Sequence, residues 1–188
     1  MDKQTKQTDD ELGLKALTLS PDQAELQAVQ MELATKEFAE KVKADAFSAR
    51  DALVKKVFDR LLIPTELDWQ EHAELCTAIC DIRARDGLLR MLHDRPEVRV
   101  DFQAHLIREV ARSQQEFTAS LATVYAGITW LDGQTELTRL AVDRALEIDP
   151  SYSLAQLLDI ALRHNVPASV WSSSLAAVSF DACLKGAA

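Results

Sequence analysis

FTASLATVYAGITWLDGQTELTRLAVDRALEIDPSYSLAQLLDIALRHN, residues 117–165, reads as three helices divided by two turns. The first, Phe117 to Leu131, is apolar nearly all round, the pattern of a helix enclosed by others. Asp132-Gly133 is a turn signal. Gln134 or Thr135 then opens a helix carrying Leu137, Leu140, Ala141, Leu146 and Ile148. Asp149-Pro150 closes it, because proline pushes the preceding residue out of helical geometry. Ser151 or Ser153 caps the third, with Leu154, Leu157, Leu158, Ala161 and Leu162 on one face. It stops at Asn165, which tolerates left-handed geometry, just before Pro167. Connections this short make successive helices antiparallel.

The same period continues outward. Ser20-Pro21 reads as an N-cap with proline in the first turn, and Asp22 and Glu25 place negative charge where the helix dipole favours it. Leu26, Val29, Leu33, Phe38 and Val42, then Leu53, Val57, Phe58 and Leu61, recur at helical spacing up to Ile63-Pro64. That is one helix of about forty residues or two in tandem, weakest at KADAFSARDA, residues 43–52. Thr65 with Asp68 resembles a capping box opening a helix whose seam is Trp69, His72 or Ala73, Cys76, Ile79 with Cys80, and Arg83. Asp86-Gly87 interrupts that pattern before Leu88, Leu89 and Leu92 resume it. Pro96 begins a helix with Phe102, Leu106, Ile107 and Val110 on one side and Arg99, Arg108, Glu109 and Arg112 on the other. A last helix spans Ser169 to Leu184. No stretch alternates as a strand requires.

We therefore expect an all-α fold, an antiparallel bundle of about six to seven helices with a long N-terminal helical arm. The expected organisation is a polar tail over 1–19, the arm over 20–64, a core module over 65–171, and a C-terminal helix and tail over 172–188.

The bulk properties restrict function. Among 188 residues, 30 acids against 21 bases give a net charge of −9, which repels nucleic-acid phosphates and anionic lipid alike. Neither nucleic acid nor membrane is an expected partner. No apolar run is long enough to span a bilayer, and the first twenty residues lack the apolar core of a signal peptide. The odd set Cys76, Cys80 and Cys183 fits a reducing compartment, so the expected location is the cytoplasm.

Catalytic sets are absent from the sequence. His72-Ala73-Glu74 has the form found in zinc deaminases, yet the later Pro-Cys-x-x-Cys pair is missing. His72, Cys76 and Cys80 share a helix face, but the outer two are separated by about 12 Å of helical rise, too far for one ion. We expect core packing there, with no metal and no cofactor. The group with the most to explain is Arg83, Arg85 and Asp86 with Asp143, Arg144 and Asp149. A charge beside an apolar seam needs a partner, so Arg83 or Arg85 is expected to pair with Asp86, Asp143 or Asp149, either fixing register or forming a binding notch.

Three motifs in order also carry a family resemblance: CDIRARDGLLRML at 80–92, TWLDG at 129–133, and LTRLAVDRALEIDPSYSLAQLLDIALRHNVPASVW at 137–171. They are similar to the C-terminal half of domain-of-unknown-function family 4192, associated with actinobacteria and their phages. Arg85-Asp86, Asp132-Gly133, Asp149-Pro150 with Tyr152, and Pro167 with Trp171 match the family pattern, while Asn165 and Ala168 replace a glycine and a proline. The resemblance implies a compact helical module over about residues 65–171 and carries no activity. Residues 144–152 also resemble the close of a tetratricopeptide repeat, without a second copy at that period.

The functional expectation is a non-enzymatic helical module that binds a protein partner, as a phage-encoded or actinobacterial adaptor or modulator of a host protein, with homodimerisation through the N-terminal arm as one mode. Two alternatives stand beside it. One is an acidic nucleic-acid mimic, although 16 acids to 10 bases in residues 1–75 and 14 to 11 in the rest dilute the charge. The other is a small-ligand protein or enzyme using Arg83, Arg85 and Asp86.

Overall fold

The computed structural model describes residues 17–185. Among them the regular elements are all helical: α1 Pro21–Ala44, α2 Ala46–Leu61, α3 Trp69–Cys80, α4 Ile82–Asp94, a 3₁₀ turn Pro96–Val98, α5 Arg99–Arg112, α6 Gln115–Leu131, α7 Thr135–Ile148, α8 Ser153–Arg163, α9 Ala168–Ala176 and α10 Phe180–Lys185. None of these helices is long and apolar enough to cross a membrane. The chain divides into two compact units, residues 18–101 with the C-terminal segment from 176, and residues 102–175 joined by Leu17. Of the tail expected over 1–19, residues 1–16 lie outside the described residues. Leu17 is tied down by its amide, which donates to the Ala111 carbonyl at 2.6 Å.

In the first unit, Ser20 and Gln23 cap α1 reciprocally, Ser20 Oγ accepting from the Gln23 amide and Gln23 Oε1 from the Ser20 amide. The weak stretch KADAFSARDA does break, at Asp45. Its extended backbone ends α1, and its carboxylate accepts the Ser48 amide at 3.1 Å to start α2. Two helices in tandem are thus formed. Instead of standing apart as an arm, α1 packs against α2 and α3. It does so with Gln27 and Met31, while Leu26, Val29 and Leu33, expected in the seam, face solvent.

The cap of α3 is the Asp68–Glu71 pair in place of Thr65 with Asp68, because Glu71 reaches back to the Asp68 amide at 2.9 Å. The next interruption falls at Asp81, five residues before Asp86-Gly87. Asp81 Oδ1 accepts the Arg83 and Ala84 amides and starts α4, so Asp86-Gly87 lies inside a continuous helix. Gly87 is needed there for packing. A Cβ built on it would lie 2.7 Å from Leu184 Cδ2 and 3.3 Å from Phe180 Cε2, since α10 rests on α4. The expected single C-terminal helix is divided into α9 and α10, with Ala177, Val178 and Ser179 between them outside any helix.

In the second unit, α6 is buried continuously from Thr118 to Trp130, as its all-round apolar sequence requires. Gly133 turns the chain with φ +70°, and α7 returns against α6, held by a 3.0 Å hydroxyl pair between Thr129 and Thr138. Ala141, Ala145 and Ala155 are fully buried where α7 meets its neighbours, and α8 packs on both α6 and α7. Tyr152 holds the N-cap position of α8 through its main chain, accepting from the Gln156 amide, while Ser151 is engaged by Asp149. Asn165, at φ 51°, ends α8 as expected, but Leu157 on that helix faces solvent.

Helix α5 does not keep all of its charged side chains in solvent. Arg99 and Glu109, placed on its polar side, are buried. Arg99 survives burial by donating to the Leu92 and His93 carbonyls at 2.7 and 2.8 Å, the unpaired end of α4. Glu109 accepts from Arg112 at 2.7 Å.

Candidate interaction surface

Helix α1 has two apolar faces for the price of one core. Gln27 and Met31 look inward, whereas Leu26, Val29 and Leu33 are 45%, 46% and 55% exposed. At about 100° per residue these three fall within one narrow stripe, opposite the buried face. Asp22 and Lys36 continue the stripe at its two ends. Neither has an ion-pair partner among the described residues, although Lys41–Glu37 and Lys43–Glu40 on the same helix are paired at 2.6 and 2.7 Å.

Further along α1, on the side that faces α2 and α3, lies a cleft of about 180 Å³, with Phe38, Ala49 and Leu53 among its lining groups. Its charged rim is neutralised within itself. Lys56 donates to Glu74 at 2.6 Å, and Lys41 to Glu37. The hydrogen bond and charge of Lys41, assisted by Lys56, hold the Glu37 carboxyl below its ordinary range. A shallow, internally paired recess of this kind suits an apolar side chain better than an ion.

Inside α3, His72 and Cys76 are fully buried, with Cys76 Sγ 3.5 Å from His72 Nε2. Gln27 reaches the same ring nitrogen from α1 at 2.9 Å, and Trp69 meets the ring edge-on. Cys80 is exposed, so the third member of the row points elsewhere. Among the described residues no group of three or more His, Cys, Asp or Glu side chains is arranged to hold a metal. The cluster is a polar clip between α1 and α3, closed to solvent.

The charged group singled out from sequence falls in both units, Arg83, Arg85 and Asp86 in the first and Asp143, Arg144 and Asp149 in the second. Arg85 is buried and donates to its neighbour Asp86 at 2.8 Å. Arg83 uses its amide to cap onto Asp81. Arg144 pairs with Glu147 at 2.7 Å, Asp143 is exposed, and Asp149 accepts the Ser151 amide and hydroxyl, which lowers its pKa. Tyr152 is half-buried at the start of α8. Trp171 donates from Nε1 to the Gly127 carbonyl at 3.0 Å and stacks on Trp130 at 6.1 Å between centroids.

Two residues that the sequence did not single out organise the first unit. Arg50 on α2 grips the Asp81 carboxylate through Nε and Nη2 at 3.0–3.1 Å and donates to the Leu184 carbonyl at 3.4 Å. Arg90 donates to the Ala176 and Val178 carbonyls at 3.0 and 2.6 Å. No local pattern marks either one, because their partners are distant in sequence.

The family model for a domain of unknown function, DUF4192, matches residues 6–169. The match reaches well upstream of residue 65 and takes in α1 and α2, so the family likeness extends beyond the C-terminal motifs. No curated protein and no solved structure matches the chain.

Proposed function

The chain belongs to the DUF4192 family, and from that premise we propose that it is a non-enzymatic protein-interaction module whose docking element is the outer face of α1. The observation that carries this reading is the exposed Leu26–Val29–Leu33 stripe on the outer face of α1. Exposed apolar groups gathered in one row on a rigid helix bury area on a partner at little entropic cost. Arg85 and Arg144 each have a carboxylate partner nearby in the chain, Asp86 and Glu147, which fits structural ion pairs. We place the module in the cytoplasm, on the strength of cysteines that remain free thiols.

The test compares affinity capture by the wild-type chain and by Leu26→Glu/Val29→Glu/Leu33→Glu, with helix content checked by circular dichroism. A specific protein recovered by the wild type and lost by the folded variant supports the reading. Equal recovery by both chains refutes it.

A further inference from the structure

Resting on that reading, we infer that the α1 stripe pairs with the same stripe on a second copy of this chain, antiparallel, with Val29 on the twofold axis. The stripe is nearly palindromic in spacing. Counting from Val29, Leu26 and Leu33 lie three residues back and four forward, and Asp22 and Lys36 lie seven back and seven forward. Reversing one helix against another about Val29 therefore sets Leu26 against Leu33 twice and Val29 against itself.

The charges are antisymmetric about the same point. Seven residues of helix span about 10 Å on either side of Val29, so Asp22 of one copy comes level with Lys36 of the other at both ends. Lys36 also reaches toward Glu25 of the second copy, on the same flank. Among the described residues Asp22, Glu25 and Lys36 have no ion-pair partner, nor does Glu32, while their neighbours Glu37, Lys41, Glu40 and Lys43 have local partners. A parallel pairing would instead oppose Asp22 to Asp22 and Lys36 to Lys36. Two symmetry-related contacts are adverse, because Glu32 of each copy comes near the level of Glu25 of the other. With three apolar layers and a net charge of −9 on each chain, the dimer is weak and concentration-dependent.

The experiment is sedimentation equilibrium of the full chain over a wide concentration range, for the wild type, Asp22→Lys, Lys36→Asp, an equimolar mixture of those two, and Leu33→Glu. The wild type dimerises. Each single charge variant places like charges at both ends and dimerises about tenfold more weakly. The mixture regains association, because the lysine pair of one chain meets the aspartate pair of the other, and Leu33→Glu is monomeric with unchanged helix content. A wild-type chain that is monomeric throughout overturns the inference, as do single variants that associate like the wild type. If stripe-dependent capture of another protein persists in a monomeric chain, self-pairing falls and the docking role stands. If the dimer forms as described while the triple variant captures as the wild type does, the docking role falls for other partners and the self-pairing stands.

Discussion

Leu184 occupies the space that a side chain on Gly87 would fill: a Cβ at position 87 would come within 2.7 Å of Leu184 Cδ2. Leu184 is fully buried on that seat, and the Arg50 guanidinium holds its carbonyl from α2. The final turn and a half of helix is thus bound to the first unit by a missing methyl group and a long-range hydrogen bond.

Gly87→Val is expected to destabilise the chain by about 2 kcal/mol through overpacking, more than the gain from replacing a helical glycine. Leu184→Ala, which leaves the seat empty, costs about 2–3 kcal/mol. Both appear as lower urea midpoints and as faster proteolysis near the C-terminus. Unchanged cleavage in Gly87→Val would show that α10 is held by something else.

Asp81 has two roles that substitution separates. Its carboxylate caps α4 and grips Arg50, and both side chains are mostly buried, with 18% and 16% exposed. Asp81→Ala removes both functions and is expected to cost about 3 kcal/mol. Asp81→Asn keeps the cap acceptor and loses the ion pair, at about 1–2 kcal/mol. Equal midpoints for the two variants in chemical denaturation would mean that the cap contributes nothing.

The two faces of α1 should respond oppositely. Leu33→Glu faces solvent and shifts stability by no more than about 0.5 kcal/mol. Met31→Ala, two residues away and buried, costs about 2–3 kcal/mol. Thermal or urea denaturation of the dilute chain measures both, and the reverse order would mean that α1 is seated by its other face.

Acid stability should depend on Glu71. The Arg60 hydrogen bond, opposed by partial burial and aided by the Asp68 amide and by charge, lowers its pKa from the ordinary 4.5. A carboxyl whose pKa falls on folding stabilises the native state at pH above its unfolded value, and that contribution is lost as pH drops through the folded value. Stability is therefore expected to decline below about pH 4.5. Arg60→Met should flatten that part of the pH profile, measured as unfolding free energy against pH. An unaltered slope would assign the acid limb to other carboxyls.

Trp171 ties α9 to the middle of α6. Trp171→Phe keeps a ring against Trp130 and loses the donor to Gly127, at about 1 kcal/mol. Its effect should appear in the urea midpoint. An unchanged midpoint would mean that the hydrogen bond is replaced by water at no cost.

Local chemistry made much of this legible. The three helices of 117–165, the turn at Asp132-Gly133, the stops at Pro150 and Asn165 and the Ser20-Pro21 start depend on residues within a few positions of each other. Where two caps competed, the sequence misled: Thr65 and Asp68 are both good cap residues, and Glu71, three beyond Asp68, decides between them. At Asp86-Gly87 a sound turn signal was overruled, because a neighbouring leucine needs the space a side chain would take.

Repeating apolar positions three and four apart, with few glycines and prolines, determined by themselves that the described residues are helical and roughly where most of the helices stop, since those are short-range effects. Which face of α1 turns inward, why Gly87 sits in mid-helix and what Arg50 and Arg90 hold were decided only in three dimensions. Leu26, Val29 and Leu33 satisfy the helical period as well as any core row. Only the groups presented by α3, with His72 reaching Gln27, select the other face and leave that row exposed.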